Sequence, residues 1–237
     1  MGYGHRLRIG LLVPSSNTTM EPEFYKMAPE GVSIHSARMR LVDVTPETLM
    51  DMAKDAERAA ALLQTADVDI IVYGCTTGSL VGGVEWEEGL VSRIESRVGV
   101  PTVSTSRAVV DALKALKLER VAVATPYTDE LNLLERMFLE AYGFEVTAIR
   151  GLGLVRNVDI GATEGEAVVN LIRSVVGGAD GVFISCTNLP TVTFLEPLEE
   201  ELGVPMVSSN QASMWAALRD RGFRGIEGYG FFLRGHL

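Results

Sequence analysis

The feature that most constrains this chain is a stretch that occurs twice. Asp69-Ile-Ile-Val-Tyr-Gly-Cys75-Thr-Thr and Asp180-Gly-Val-Phe-Ile-Ser-Cys186-Thr-Asn share an aspartate, an apolar run, a cysteine and a threonine, and between them they hold both cysteines of the 237 residues. Each run of β-branched and aromatic residues predicts a strand buried on both faces, as in a parallel sheet. Each cysteine then sits just past the carboxyl end of a strand. Ligands of open α/β sheets bind in the crevice outside those ends, so both thiols lie where chemistry is expected.

The repeat reaches beyond the cysteines. Arg8-Ile-Gly-Leu-Leu-Val13 with its Pro14-Ser-Ser-Asn17 stop is echoed by Arg120-Val-Ala-Val-Ala-Thr125 with Pro126-Tyr127, and Val100-Pro-Thr-Val-Ser-Thr105 returns as Val204-Pro-Met-Val-Ser-Ser209. Helices alternate with these strands. Thr45 as N-cap, Pro46 at N1 and the spacing of Leu49, Met52, Ala53, Ala56 and Leu63 predict one helix. Trp86 to Val98, Ala108 to Leu116, Thr128 to Tyr142 and Thr163 to Val176 predict others, and Phe144 to Ile149 a further strand. The period is too long for a solenoid. It predicts an α/β fold of two pseudo-symmetric lobes, each a mostly parallel sheet flanked by helices, with the active site in the cleft between them and one cysteine on each wall. We expect the first lobe in residues 1–115, completed by 208–237, and the second in residues 116–207. The glycine- and aromatic-rich tail from Gly222 to Leu233 has no counterpart in the first half. It is expected to close over a lobe or to form a contact in a homodimer or higher homo-oligomer.

Composition narrows the function classes. No apolar run approaches the roughly 20 residues a membrane span requires, and the start, Met-Gly-Tyr-Gly-His-Arg, lacks the apolar stretch of a secretory signal. A cytoplasmic location is expected, and in a reducing compartment two free thiols are favoured over a disulfide. A formal charge of −10 argues against nucleic acid as a partner. It leaves room for a small anion held locally by backbone N–H groups. Zinc takes about four ligands, whereas these cysteines have no CxxC companion and the histidines lie scattered at His5, His35 and His236. No metal site is expected. Gly82-Gly83 and Gly151-Leu-Gly153 match neither the dinucleotide fingerprint nor the P-loop, so no nucleotide cofactor is expected either. The glutamates at 85, 87, 88 and 199–201 are read as solvated helix faces.

A buried free cysteine is often only a small hydrophobe. Here both leave their strands into polar turns, Thr76-Thr77 and Thr187-Asn188, at equivalent points of the repeat, which favours a catalytic pair in partly exposed surroundings. Asn17 as a helix cap, Tyr127 as a surface residue after Pro126 and Asn157 as a turn former are the plain alternatives to a shared role. Together they would surround a carboxylate with neutral donors.

On Val13-Pro-Ser-Ser-Asn-Thr, Tyr73-Gly-Cys75-Thr-Thr, Ala124-Thr-Pro-Tyr127-Thr-Asp-Glu-Leu-Asn132, Arg156-Asn157 and Ser185-Cys186-Thr-Asn, nearly the whole chain resembles the Asp/Glu racemase superfamily. Within it the resemblance is strongest to the maleate cis-trans isomerases, with the arylmalonate decarboxylases near relatives. The resemblance implies that Cys75 is a nucleophile, Cys186 an acid, and Asn17, Tyr127 and Asn157 the residues that hold carboxylates. Departures are visible. Amino-acid racemases of this group follow the first cysteine with asparagine and the second with threonine-histidine, where this chain has Thr76 and Thr187-Asn188. Arylmalonate decarboxylases lack the first cysteine.

The expected activity is a cofactor-independent conversion of maleate, or a similar small cis-dicarboxylate, to fumarate. Thiolate addition makes the double bond single, rotation follows, and elimination releases the trans acid. Backbone donors around Ser15, Thr76, Thr77 and Thr187 are expected to stabilise the developing charge. The alternatives are an aspartate/glutamate-type racemase, an arylmalonate-decarboxylase-like enzyme, and a non-enzymatic two-lobed ligand-binding or redox-sensing protein.

Overall fold

In the computed structural model, which describes residues 2–237, the duplication is one of topology. The first half runs β1 (Leu7–Pro14), α1 (Met20–Met27), β2 (Val32–Met39), α2 (Pro46–Ala53), α3 (Ala56–Gln64), β3 (Ile70–Tyr73), α4 (Thr76–Leu80), α5 (Gly83–Val98), β4 (Thr102–Ser104) and α6 (Thr105–Ala115). The second runs β5 (Arg120–Thr125), α7 (Asp129–Ala141), β6 (Glu145–Gly151), α8 (Asn157–Gly161), α9 (Gly165–Val175), β7 (Gly181–Ile184), α10 (Leu195–Leu202), β8 (Met206–Ser208), α11 (Ser209–Leu218) and α12 (Phe231–Gly235). The sheets have orders β2-β1-β3-β4 and β6-β5-β7-β8, and every pairing is parallel.

The repeated residues have repeated jobs. Asp69 accepts the amide hydrogen of Arg8 at 2.7 Å, and Asp180 accepts that of Arg120 at 2.9 Å, so the same carboxylate pins the start of the neighbouring strand in each lobe. Ser104 and Ser208 cap α6 and α11 by accepting from Arg107 and Gln211 at 3.1 and 3.2 Å. Such caps satisfy amides that a helix cannot satisfy itself.

α6 and α11 pack against one another where the lobes meet, with Thr105 and Ser213 hydroxyls 3.0 Å apart. A single apolar cluster passes from Ile9 and Val72 through Leu113 and Ala217 to Val123 and Phe183, so the lobes share a core. The tail folds back onto this junction. Phe232 packs on Trp215 at a tilt, 5.1 Å between ring centroids, and the Phe231 amide donates to Glu199 at 2.7 Å.

Three differences from the sequence reading stand out. The helix expected from Thr45 to Leu63 is two, bending at Lys54–Asp55 so that Met52 and Ala53 on one side and Ala60 and Leu63 on the other all stay buried. α1 and the edge strand β2 were not foreseen. The residues Glu199 and Glu87 are not solvated: both are buried, the first against the Met206 and Phe231 amides and the second against the Ser104 hydroxyl.

Candidate active site

β3 ends at Tyr73 and β7 at Ile184, so each cysteine lies two residues past its strand, at the junction of the lobes. Both are free thiols and both are buried. Cys75 is the N-cap of α4: its Sγ accepts from the Gly78 amide at 3.4 Å. Thr76 and Thr77 are the first residues of that helix, where amides have no acceptor within the helix.

No helix starts directly after Cys186. Its backbone lies at φ 96°, a left-handed conformation that a side-chain-bearing residue adopts at a cost. Two contacts hold it there: its amide donates to Ser209 Oγ at 3.0 Å, and its Sγ accepts from the Asn188 amide at 3.3 Å. Ser209 Oγ also accepts from Thr76 Oγ1 at 2.8 Å, so one hydroxyl ties the two cysteine loops together.

A network of side chains closes the junction. Asn17 donates from Nδ2 to Thr187 Oγ1 at 3.0 Å, and Thr187 Oγ1 donates to the Gly74 carbonyl at 3.0 Å. Asn17 Oδ1 accepts the amides of Thr19 and Met20 at 3.0 and 2.9 Å, so the same side chain caps α1. Asn157 donates to Ser16 Oγ at 2.9 Å, and its carbonyl accepts from Asn188 Nδ2 at 2.6 Å. Asn188 Oδ1 accepts the Thr18 amide at 2.8 Å. A Cβ on Gly161 would come within 2.3 Å of Thr18 Oγ1, so glycine is what lets α8 approach so closely. Above this layer Val44 donates to the Val155 carbonyl and Asn157 to that of Val42, sealing one lobe to the other.

Tyr127 is fully buried, which sets aside the plain alternative of a surface residue. Its hydroxyl stands beside the Cys186 thiol, where it favours the thiolate, and accepts from Ser185 Oγ at 3.5 Å. The turn exists because Gly151 passes under the Tyr127 carbonyl, which would lie 2.0 Å from a Cβ there. Ser15 stands apart from the others. It is exposed, its amide is committed to the Met39 carbonyl and its hydroxyl pairs with Leu41.

The thiols are not in the partly exposed surroundings expected of them. Burial pushes Cys75 up to about 12 despite the Gly78 amide, and each sulfur's negative charge would oppose the other's. Burial likewise pushes Cys186 up to about 11, against the Tyr127 hydroxyl and the Asn188 amide. Closure removes the water that would stabilise a thiolate. Three neighbours escaped the sequence reading: Ser209, Ser185 and the buried carboxyl Glu135, which Ser185 contacts at 2.6 Å. Ser209 was visible in principle, because the repeat sets it opposite Thr105. Glu135 carries no such signal, being one acid among several on an amphipathic helix. Among the described residues no cluster of three potential metal ligands occurs, and no helix is long and apolar enough to cross a membrane.

Two parallel lobes with a thiol from each at their junction define a class, and comparison with known proteins agrees. Residues 9–232 match the family model described as arylmalonate decarboxylase, and the chain belongs to that family, within the Asp/Glu racemase superfamily. It is 34% identical over 227 residues to the maleate isomerase of Nocardia farcinica, covering 90% of this chain and 89% of that one. It is 29% identical over 227 residues to the arylmalonate decarboxylase of Bordetella bronchiseptica, with 94% of each chain covered. Among solved structures, the maleate isomerase of Pseudomonas putida S16 with maleate superposes with a TM-score of 0.93 at 29% identity, over 97% of this chain and 98% of that one. A cysteine-to-serine mutant of the Nocardia farcinica maleate cis-trans isomerase, holding a covalently bound succinylcysteine intermediate, gives 0.91 at 32% identity over 96% and 98%.

Proposed function

We propose that this chain is a maleate cis-trans isomerase that works by reversible thiol addition. The observation that carries the reading is the placement of two free thiols at equivalent strand ends, one per lobe, joined by a single serine hydroxyl. The covalent succinylcysteine in the Nocardia farcinica relative supports it, since a succinyl group is what maleate becomes when sulfur adds to one alkene carbon and a proton to the other.

The form that reacts has one proton between the two sulfurs. Cys75 as thiolate bonds one alkene carbon, and the π pair moves onto the other carbon and into its carboxylate. Cys186 gives that carbon its proton and becomes the thiolate. Rotation about the new single bond follows. Cys186 then takes a proton back, the electron pair reforms the double bond, the sulfur–carbon bond breaks and fumarate leaves. Asn17, Tyr127, Asn157 and the amides of Thr76, Thr77 and Thr187 are the neutral donors we assign to the carboxylates. Ser15, with amide and hydroxyl both engaged, is left a role in shaping the loop.

Arylmalonate decarboxylation is the second reading, and it rests on the family description. Cys75 separates the two, because decarboxylases resembling this chain lack a thiol there. The test is a pair of variants incubated with maleate and weighed intact. Cys75→Ser should form no adduct and show no fumarate, whereas Cys186→Ser should gain the mass of one maleic acid. Fumarate production by Cys75→Ser at the wild-type rate would end the reading.

A further inference from the structure

Four buried glutamates lie in this fold, and three have evident structural duties. Glu23 accepts the Thr191 and Val192 amides and the Asn210 side chain, Glu199 accepts two amides, and Glu87 accepts the Ser104 hydroxyl. Glu135 is different. It is fully buried on α7, its Oε1 accepts from Ser185 Oγ at 2.6 Å, and its Oε2 meets no partner among the described residues. A buried carboxylate oxygen without a partner is costly, and it asks for an explanation.

Ser185 immediately precedes Cys186, and its oxygen lies between Glu135 Oε1 at 2.6 Å and the Tyr127 hydroxyl at 3.5 Å, which itself stands beside the Cys186 thiol. We propose that Glu135 is a positioning residue for Cys186, its carboxyl setting, through Ser185 and Tyr127, which way the hydroxyl protons point at that thiol. The proposal rests on reading Cys186 as a working thiol.

Ser185 has one proton and two neighbours to give it to. Facing an ionised Glu135, it must donate there, and Tyr127 is free to turn its own proton back onto the serine oxygen, away from the sulfur. Facing a protonated Glu135, Ser185 receives a proton instead. Its own then goes to Tyr127, and the tyrosine proton is left for Cys186. Three hydroxyl-type groups thus point the same way only when the carboxyl is neutral.

Burial pushes Glu135 up to about 8, so the carboxyl changes charge near neutral pH. The titratable groups facing Glu135 are Cys186 and Tyr127, and a negative charge on Glu135 raises both. Its other surroundings from α4, α6, α7 and β7 are uncharged: Thr76, Leu80, Ser106, Val109, Phe138 and Phe183. Ionisation of Glu135 therefore acts twice in one direction, removing a donor from the Cys186 sulfur and adding a charge that opposes its thiolate.

The experiment follows iodoacetamide alkylation of Cys186, quantified on its peptide, on both sides of pH 8 in the full chain. Wild type should fall behind Glu135→Gln above that pH by about tenfold, one pKa unit, and match it below, because the amide always donates to Ser185. Ser185→Ala keeps the carboxyl but cuts the chain, so its inflection should shrink to the part that acts through space. Coincident wild-type and Gln profiles would overturn the proposal. An undiminished inflection in Ser185→Ala would do the same, showing that charge alone acts. Maleate turnover is measured on the same samples: a wild type inactive on maleate sinks the isomerase reading, while the alkylation difference judges Glu135 separately.

Discussion

Ser209 accepts the amide hydrogen of Cys186 at 3.0 Å, one of the two contacts that keep a non-glycine residue at φ 96° where the lobes meet. Ser209→Ala leaves that buried amide without an acceptor, at a cost of about 1–3 kcal/mol. It also frees Thr76 Oγ1, whose 2.8 Å donation to Ser209 joins the other cysteine loop. The expected outcome is a lowered melting temperature by calorimetry together with a loss in kcat larger than any change in KM, because the displaced group is a thiol that acts in the chemical step. A variant with wild-type kcat would remove Ser209 from the positioning of Cys186.

Much of this arrangement was legible before any coordinates, and the reason is the duplication. A residue type that recurs at the same point of two strand repeats carries twice the information of one, which is why both cysteines and the repeated strands ending at Ser104 and Ser208 stood out. β2 was not legible because it lies at a sheet edge, where Ser33, His35 and Arg38 interrupt the apolar run that marks a central strand. Tyr127 and the cysteines were placed at strand ends, but the cysteines were expected to be wetter than they are. The sequence of a loop says where it begins, not how tightly Asn17, Asn157 and Asn188 will draw the other lobe over it.

Asn17 separates binding from stability. Its Oδ1 caps α1 and its Nδ2 crosses to Thr187. Asn17→Asp keeps an acceptor for the Thr19 and Met20 amides, and an anion at a helix start is favourable, so the melting temperature should hold. The same substitution replaces a donor with negative charge where we place a carboxylate, so maleate affinity should collapse. Asn17→Ala should show the reverse balance, losing about 1 kcal/mol of cap with a smaller loss of affinity. Inhibition constants and melting curves for both variants check this, and an Asp variant that binds maleate like wild type would remove Asn17 from the substrate site.

The two thiols make a prediction about reactivity. With Cys75 held up to about 12 and Cys186 up to about 11 by burial, the folded protein without substrate carries almost no thiolate near neutral pH. Alkylation should be slow and still climbing at pH 9, whereas the urea-unfolded chain should titrate near the ordinary thiol value of about 8.5. Cys186 should react ahead of Cys75. A fast native reaction that levels off below pH 8 would show that a thiolate is already stabilised in the closed cleft.

Stability should depend on pH in a direction opposite to that of a protein whose carboxylates are held by ion pairs. Burial is the leading cause at Glu135, raised to about 8, at Glu199, raised to about 7, and at Glu23 and Glu87, also raised. A carboxyl whose folded value lies above its unfolded one binds its proton more tightly when folded. Its contribution is complete below the unfolded value of 4.5 and is lost as pH rises through the folded value. Against these, Asp180 is lowered by its contacts with Arg120 and favours the fold at higher pH, but its ion pair lies at the surface and is screened by solvent. The buried group should prevail. Melting temperatures measured in one buffer system should therefore fall between pH 5 and pH 8, and Glu135→Gln, which has no proton to lose, should flatten the upper part of that decline. A wild-type melting temperature that rises over this interval would mean that the four carboxyls are ionised inside the fold.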